Sequence, residues 1–215
     1  MLEHQKQSHL KLNLDEKYFF WKIKFAFDLL VAICLLPLLI IVAFFVTFLN
    51  FFFNKGPLFY VQKRMGKNCM PFHLIKFRTM KVTEIIERKF SDPLELNRIT
   101  RLGQILRKCK IDELPQILNV IKGDMSLIGP RPDYYEHAVL FLENIPEYYK
   151  RHTIKPGISG LSQIRLGYAE GIGATKEKSK LDIYYIENAN IILDIKIIFG
   201  TLIIILKALI NKTAI

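Results

Sequence analysis

The sequence predicts an α+β fold that is mostly helical, in which a re-entrant membrane segment (helix, break, helix) precedes a compact cytosolic domain with a short β-hairpin and surface amphipathic helices. Three observations predict it. Residues 29–53 form a run of 25 residues without a charge. Residues 58–66 and 71–80 are β-prone runs bounded by Gly66 and Pro71, as is typical of a hairpin. Several later segments place apolar residues at helical spacing.

The composition of the 215-residue chain narrows its class. Hydrophobic residues make up 51% of the chain, which excludes an intrinsically disordered protein because such chains lack the apolar residues for a core. Three cysteines, with Cys34 inside the apolar run, exclude a disulfide scaffold and favour a reducing compartment. Charged residues make up 24%, and a single run is long enough to cross a bilayer, which argues against a polytopic carrier. The net charge of +11 indicates anionic partners.

The apolar run is interrupted by Pro37, which removes a backbone donor and is expected to kink or break a helix. Pro37 divides residues 21–53 into arms of 16 residues, 21–36 and 38–53, each about 24 Å long as a helix and shorter than a hydrocarbon core of about 30 Å. Basic residues flank both ends, whereas a spanning helix normally has a bias to one side. These features favour a re-entrant helical hairpin with both ends on the cytoplasmic side. A single span with a tolerated proline is the alternative.

The rest of the chain divides into an N-terminal tail (residues 1–20), a domain (residues 54–201) and an apolar C-terminal interfacial segment (residues 202–215). Charges interrupt the apolar end of the chain, so it suits a helix at the membrane surface better than a second span. After the hairpin, the sequence predicts a helix and loop over 81–97, a helix over 101–110 capped by Thr100, and a helix from about 112 to 121 that ends before Gly123. An ordered loop without regular structure follows over 124–133, and then a helical region over 134–152. The last predicted elements are a glycine-rich stretch over 155–173 with a short β-prone centre and a helical region over 176–210.

The densest charge in the sequence lies just before Asp112 and Glu113. Positive surroundings keep carboxylates ionised and can also hold phosphate oxygens. A solvated basic helix face, followed by an Asp that caps the next helix, is the alternative interpretation. The five cations of this cluster are Arg98, Arg101, Arg107, Lys108 and Lys110.

Further candidate anion-binding residues are Lys76 and Arg78 in the segment LIKFRTM, and Arg131 between Pro130 and Pro132. Prolines on both sides stiffen the backbone of that arginine, which suits a positioned anion clamp. The histidines and cysteines lack metal-ligand spacing, and the sequence has no Gly-rich dinucleotide or P-loop motif. Neither a zinc site nor a thiol nucleophile is indicated.

The segment DELPQILNVIKGDMSLIGPRPD (residues 112–133) closely resembles the signature of the bacterial sugar transferases, monotopic phosphoglycosyl transferases that load a sugar 1-phosphate onto a polyprenyl phosphate. Three further segments resemble the family in the expected order, so the likeness extends from about residue 28 to residue 201. They are LIKFRTM (74–80), KPGISGLSQI (155–164) and LDIYYIENANIILDIKIIF (181–199). The chain resembles the minimal catalytic form, without the multi-span region of larger members.

The resemblance implies roles for single residues. Asp112 matches the aspartate nucleophile and Glu113 its partner in the catalytic pair, and both are expected to ligate Mg²⁺. Pro37 matches the proline that breaks the re-entrant helix, although Leu36 precedes it where the family commonly has serine. After Gln163 the chain reads IRLGYAEG, which is similar to a second branch of the family. The expected substrate-binding residues are Lys76, Arg78, Arg107, Arg131 and Gln163.

The reaction implied by the resemblance transfers a sugar 1-phosphate from a UDP-sugar to polyprenyl (undecaprenyl) phosphate and releases UMP, through a covalent aspartyl-phosphosugar intermediate with ping-pong kinetics. It would be the first membrane step in assembly of a bacterial glycoconjugate: an O-antigen, capsule, exopolysaccharide or glycoprotein glycan. The expected location is the cytoplasmic face of the bacterial inner membrane. Anionic lipid is a further expected partner, and the apolar belt also allows a homodimer. Neither the sugar nor the pathway follows from the sequence.

A hypothesis from another class is a non-catalytic, membrane-tethered basic module that binds anionic lipid or nucleic acid. It explains the charge and the apolar run but not the motifs around Asp112 and Arg131. Binding to single-stranded nucleic acid normally uses aromatic side chains interleaved with cations, and residues 98–110 contain no aromatic residue. We therefore expect no nucleic-acid partner.

Overall fold

The computed structural model describes residues 19–82, 96–167 and 171–210. The helices are α1 (residues 19–34), α2 (Leu36–Phe53), α3 (Arg101–Lys108), α4 (Ile117–Lys122), α5 (Tyr135–Asn144), α6 (Leu161–Leu166), α7 (Gly171–Asn188) and α8 (Ile191–Ile210). The strands are β1 (Phe59–Met65), β2 (Pro71–Phe77), β3 (Ser126–Ile128) and β4 (Gly157–Ser159). Short 3₁₀ helices cover Lys67–Cys69, Leu96–Arg98, Ile111–Gln116 and Tyr148–His152. The described part is mostly helical with a short hairpin, which agrees with the predicted α+β class.

The predicted hairpin is confirmed. Strands β1 and β2 are antiparallel, with Phe59 opposite Phe77 and Met65 opposite Pro71. Their connection is closed by a hydrogen bond of 2.8 Å from the Gly66 N–H to the Met70 carbonyl. The hairpin provides the strand from which Lys76 projects.

The prediction of a loop without regular structure over residues 124–133 is wrong in part. Residues 126–128 form β3, which pairs in parallel with β4, so that Ser126 lies opposite Gly157 and Ile128 opposite Ser159. A strand of three residues is too short to show a period, and its partner lies about thirty residues along the chain. The helix and loop predicted over 81–97 fall mostly on residues outside the described part of the chain.

Two of the predicted helix ends agree with the structure, and one predicted segment boundary does not. The Thr100 hydroxyl accepts a hydrogen bond of 3.0 Å from the Gly103 N–H and caps α3, as predicted. Gly123, in the left-handed region with φ of 89°, ends α4. Helix α8 is continuous from Ile191 to Ile210, so the predicted boundary after residue 201 falls inside it. Of the predicted tail, residues 1–18 lie outside the described residues.

A break separates α1 from α2 next to Pro37. Leu35 is a turn residue, and Pro37 lies in the first turn of α2, where its missing N–H costs little. Helix α2 is the one described helix long and apolar enough to cross a bilayer, with 18 residues and a mean hydropathy of 2.5. Most of its side chains point away from the domain, and Phe44 and Phe51 are each 72% exposed. The break and this apolar surface are compatible both with the predicted re-entrant hairpin and with a single membrane span.

Helix α1 is joined to the domain by buried polar contacts. The Lys24 ammonium donates to Asp194 on α8 at 2.7 Å, and the Tyr185 hydroxyl donates to the same carboxylate at 2.6 Å. Asp28, one turn after Lys24, accepts a hydrogen bond of 2.5 Å from the Ser126 hydroxyl. Helix α1 therefore turns Lys24 and Asp28 towards α8 and β3.

The main hydrophobic core lies between α2, the hairpin and the helices on either side of Asp112. Leu39 and Val46 of α2 are buried in the same cluster as Phe77 of β2, Leu102 of α3 and Ile117 of α4. Because this core packs directly beneath the residues that follow α3, it fixes the position of the predicted catalytic carboxylates.

Candidate active site

Asp112 and Glu113 lie in the 3₁₀ helix Ile111–Gln116, between α3 and α4. The chain enters this helix through Lys110, a non-glycine residue in the left-handed region with φ of 57°. Such a conformation is uncommon for lysine and is typical of sites where the surrounding structure fixes a turn. The turn places both carboxyl groups in the interior of the site, with Asp112 7% exposed and Glu113 8% exposed.

Glu113 is held by two cations. Arg131 binds it in bidentate fashion, with Nη1 at 3.1 Å from Oε2 and Nη2 at 2.5 Å from Oε1. The Lys76 Nζ donates to Oε1 at 2.8 Å. Burial alone would raise the pKa of Glu113, but Arg131 and Lys76 outweigh burial and hold this pKa well below its usual range. Glu113 is therefore an ionised anchor for two cations that also face the site.

Asp112 is in the opposite situation. Its Oδ1 atom is buried and finds no hydrogen-bond partner among residues 19–82, 96–167 and 171–210. Burial raises the pKa of this carboxyl group, and the neighbouring Glu113 raises it further. Two adjacent carboxyl groups with opposite pKa shifts usually have different roles in a reaction. Asp112 has a free, basic oxygen, whereas the oxygens of Glu113 are engaged.

Lys76 is itself an unusual cation. Burial lowers its pKa to about 8, an effect that Arg131 increases and Glu113 opposes. Asn119 of α4 fixes the strand that carries it, because the Asn119 Oδ1 accepts from the Ile75 N–H at 3.0 Å and the Nδ2 donates to the His73 carbonyl at 2.7 Å. Our sequence reasoning missed Asn119. The one signal for it is a polar residue within the apolar pattern that follows Asp112.

The backbone on which Arg131 stands packs tightly against β4. A Cβ atom on Gly157 would lie 2.1 Å from the backbone N of Gly129, so no larger residue fits there without displacing the chain. The Arg131 Nη1 also donates to the Ile158 carbonyl at 3.4 Å, and Gln163 Nε2 donates to the same oxygen at 3.4 Å. The two predicted residues Arg131 and Gln163 are thus brought together through β4.

Arg107 and Arg78 lie in different surroundings. The Arg107 Nε donates to the Thr79 hydroxyl at 2.8 Å, and the positive charge of Arg107 acts on Asp112 by lowering its pKa. Arg78 is buried, with Nε on the Pro57 carbonyl at 2.7 Å and its other nitrogens on Asn54 and on the Met80 carbonyl. These contacts fasten the C-terminal end of α2 to the end of β2. They give Arg78 a structural role, and its predicted contact with substrate stays a prediction.

The described residues contain no cluster of three or more His, Cys, Asp or Glu side chains that could hold a metal ion. The unpartnered Asp112 Oδ1 suits one ligand of a hard cation such as Mg²⁺, which commonly binds through one or two carboxylates and completes its shell with substrate phosphates and water. Glu113 suits this role less, because Lys76 and Arg131 already engage both of its oxygens.

Comparison with known proteins identifies the family. A model of the bacterial sugar transferase family matches residues 19–208. The chain is 40% identical over 181 residues to the UDP-N-acetylgalactosamine-undecaprenyl-phosphate N-acetylgalactosaminephosphotransferase of Aeromonas hydrophila, covering 84% of this chain and 43% of that protein. It is 37% identical over 195 residues to the exopolysaccharide production protein PSS of Rhizobium leguminosarum bv. phaseoli, covering 84% of this chain and 94% of that protein.

A third relative is the UDP-glucose:undecaprenyl-phosphate glucose-1-phosphate transferase of Caulobacter vibrioides, 39% identical over 154 residues, which are 69% of this chain and 56% of that protein. The chain thus corresponds to nearly all of the Rhizobium protein but to only about half of the other two relatives. The match to the family model includes α1, the hairpin, both carboxylates and most of α8. The chain belongs to the bacterial sugar transferase family.

Proposed function

We propose that this chain transfers a sugar 1-phosphate from a UDP-sugar to a polyprenyl phosphate and releases UMP. The observation that carries the proposal is a buried Asp112 oxygen with no hydrogen-bond partner in the described part of the chain, beside a Glu113 that Lys76 and Arg131 neutralise. The names of the relatives support the same substrates, since they include undecaprenyl-phosphate transferases for N-acetylgalactosamine and glucose phosphates.

In the first step, the Asp112 carboxylate attacks the phosphorus that carries the sugar. A new O–P bond forms, the bond from that phosphorus to the bridging oxygen breaks, and UMP leaves with the electron pair. A carboxylate nucleophile of this kind divides one difficult displacement into two easier ones. The raised pKa of Asp112 makes its ionised form a better nucleophile than an exposed aspartate.

In the second step, an oxygen of the polyprenyl phosphate attacks the same phosphorus and releases Asp112. The acceptor is already an anion, so no general base is needed. Phosphoryl transfer depends mainly on charge neutralisation and in-line positioning. We assign that work to Arg131 and Lys76, which Glu113 holds in place, and to Arg107. Gln163 stays a predicted contact to the substrate.

Mg²⁺ fits this site through Asp112 with oxygens of the substrate diphosphate. When bound, it supplies charge neutralisation for the phosphate oxygens and the leaving group. Glu113 would be the weaker ligand of the pair, because Lys76 and Arg131 already bind its carboxylate. The protein's own cations meanwhile orient the diphosphate over Asp112.

The product leaves with a polyprenyl tail, so the reaction belongs at a membrane. We propose that α1 and α2 re-enter the cytoplasmic face of the inner membrane as a monotopic hairpin, supported by the break at Leu35 and the apolar side chains on α2. The exposed apolar residues of α8 form a further surface that suits the membrane boundary. Basic residues beside it would attract anionic lipid.

Cysteine labelling tests this topology. In a background without native cysteines, single cysteines introduced at position 5 and at position 55 should both react only with reagents that reach the cytoplasm. Pro37→Ala restores a backbone donor and should favour a spanning helix. Labelling of the two positions from opposite faces of the membrane would contradict re-entry and support the single span.

Steady-state and burst kinetics distinguish the two-step transfer from a direct displacement. UDP-sugar alone should release about one equivalent of UMP per enzyme in a burst and leave a sugar phosphate on the peptide containing Asp112, since the first step needs no acceptor. Varying both substrates should then give parallel double-reciprocal lines. A direct displacement would instead require the acceptor before any UMP appears and would give intersecting lines. A panel of UDP-sugars, including UDP-glucose and UDP-N-acetylgalactosamine, identifies the sugar.

A further inference from the structure

A buried cluster of charges lies behind the site and takes no part in the steps above. Its centre is Arg151, whose side chain is 1% exposed. The Arg151 Nε donates to Asp182 on α7 at 2.9 Å, and its Nη1 contacts Asp133 and the Tyr148 hydroxyl. Lys178 of α7 also pairs with Asp133. Removing charges from water is costly, and the ion pairs and hydrogen bonds among these groups offset much of that cost.

The cluster is connected to the site through main-chain atoms. The Arg151 Nη2 donates to the carbonyl of Arg131 at 2.7 Å. Asp133, two residues further along, is held by Arg151, by Lys178 and by a hydrogen bond of 2.6 Å from the Tyr148 hydroxyl. Burial alone would raise the pKa of Asp133, but the two cations hold it well below its usual range. Asp133 is therefore a permanent anion at the end of the Arg131 segment.

This segment has little freedom of its own. Pro130 and Pro132 each fix φ on either side of Arg131. The backbone is thus clamped at its carbonyl by Arg151 and at residue 133 by the ion cluster, while the Arg131 side chain reaches forward to Glu113. A rigid supporting contact of this kind sets how accurately a binding group meets the transition state.

We propose that Arg151 is a positioning residue for the transfer reaction, which acts by fixing the Arg131 backbone so that the guanidinium of Arg131 meets the transferring phosphate. The inference rests on the proposed function and deepens it. Arg151 reaches neither Glu113 nor Asp112, so its effect on rate passes through Arg131. If Arg151 affects the rate only through Arg131, replacing Arg151 should no longer change the rate once the Arg131 guanidinium has been removed.

A double-mutant cycle tests that route. Arg151→Lys keeps the charge but loses the planar fork that joins Asp182 to the Arg131 carbonyl. It should lower kcat at least about tenfold in the wild-type background and less than about twofold in an Arg131→Gln background, measured as UMP release per folded enzyme. Equal fold losses in both backgrounds would show a general structural role and overturn the proposal.

Asp194→Asn is the matched control, because it also breaks a buried ion pair, with Lys24, but contacts neither Arg131 nor Arg151. Its loss should be the same in both backgrounds. If Arg151→Lys does not fold, Asp182→Asn enters the same cycle, since it weakens the partner that orients Arg151. The cycle must then show the same dependence on Arg131, or the proposal fails.

Hydrogen exchange of the full chain separates this inference from the proposed function. Exchange in a peptide spanning residues 129–134 should speed up at least about tenfold in Arg151→Lys and stay unchanged in Asp194→Asn. Unchanged exchange in Arg151→Lys would overturn the positioning role. A wild-type protein that releases no UMP from any UDP-sugar would overturn the proposed function instead, and the exchange comparison would then decide the role of Arg151 alone.

Discussion

Asp112→Asn should lower the rate of UMP release at least about a thousandfold while the protein folds and associates with membranes as before. An amide oxygen is a poor nucleophile towards phosphorus and cannot leave as a carboxylate in the second step. The substitution adds no volume, and the Oδ1 that it replaces has no partner among the described residues to lose. UMP release should be measured both with and without acceptor, since the burst should vanish too.

Glu113→Gln is the comparison for this experiment. It removes the anion between Lys76 and Arg131 rather than the attacking atom. We expect a smaller loss of rate, together with lower stability, because two partly buried cations lose their shared counter-ion. If Asp112→Asn kept an appreciable rate, or lost less than Glu113→Gln, the nucleophile would have to be another group.

Gly157→Ala should destabilise the fold strongly, because the added methyl group would overlap main-chain atoms. The new Cβ would lie 2.1 Å from the Gly129 N and 2.6 Å from its Cα and carbonyl oxygen, all of them main-chain atoms that cannot rotate away. Overpacking typically costs about 1–3 kcal/mol, so the melting temperature of a chain of this size should fall by roughly 2–12 °C. The shift also moves the loop that carries Arg131, and a displacement of about 1 Å can cost about a hundredfold in rate.

Gly173→Ala in α7 is its matched control. No atom of the described residues lies within 4 Å of a Cβ built at Gly173, and alanine is favoured over glycine inside a helix by roughly 0.5–1 kcal/mol. The same methyl group should therefore leave the melting temperature unchanged or raise it. Equal destabilisation by both substitutions, in thermal unfolding followed by circular dichroism, would show that the contact between Gly129 and Gly157 can relax.

Local signals predicted the parts of this fold that depend on neighbours in sequence. The hairpin, the Thr100 cap and the Gly123 helix end each follow from residues a few positions apart. The parallel pair of β3 and β4 did not follow, because each strand has only three residues and its stability comes from a distant partner. In such a strand the hydrophobic pattern has no room to repeat.

In the site, too, local sequence selects the residues, and contacts between distant segments set their properties. Asp112 and Glu113 are adjacent in sequence, and a resemblance was enough to select them, but their opposite pKa shifts arise from contacts with Lys76 and Arg131 on other segments. Arg78 illustrates the converse. Its charge and motif predict a substrate contact, which stays a prediction, and the sequence did not indicate the hydrogen bonds that it makes with Asn54. Composition and spacing do not distinguish these two uses of an arginine.

The contact between Lys24 and Asp194 has a consequence for biosynthesis. The two residues are 170 positions apart, so a ribosome that adds about 5–20 residues per second needs about 10–30 s between them. Of the two ion-pair partners that Lys24 has in the described part of the chain, only Asp28, at 3.7 Å and one helical turn away, is synthesised before that interval ends. Helix α1 is therefore synthesised well before its buried ion pair with α8 can form. Chains truncated before residue 194 lack the partner that buries Lys24. They should therefore be recognised by cellular proteases and degraded sooner than the full-length protein.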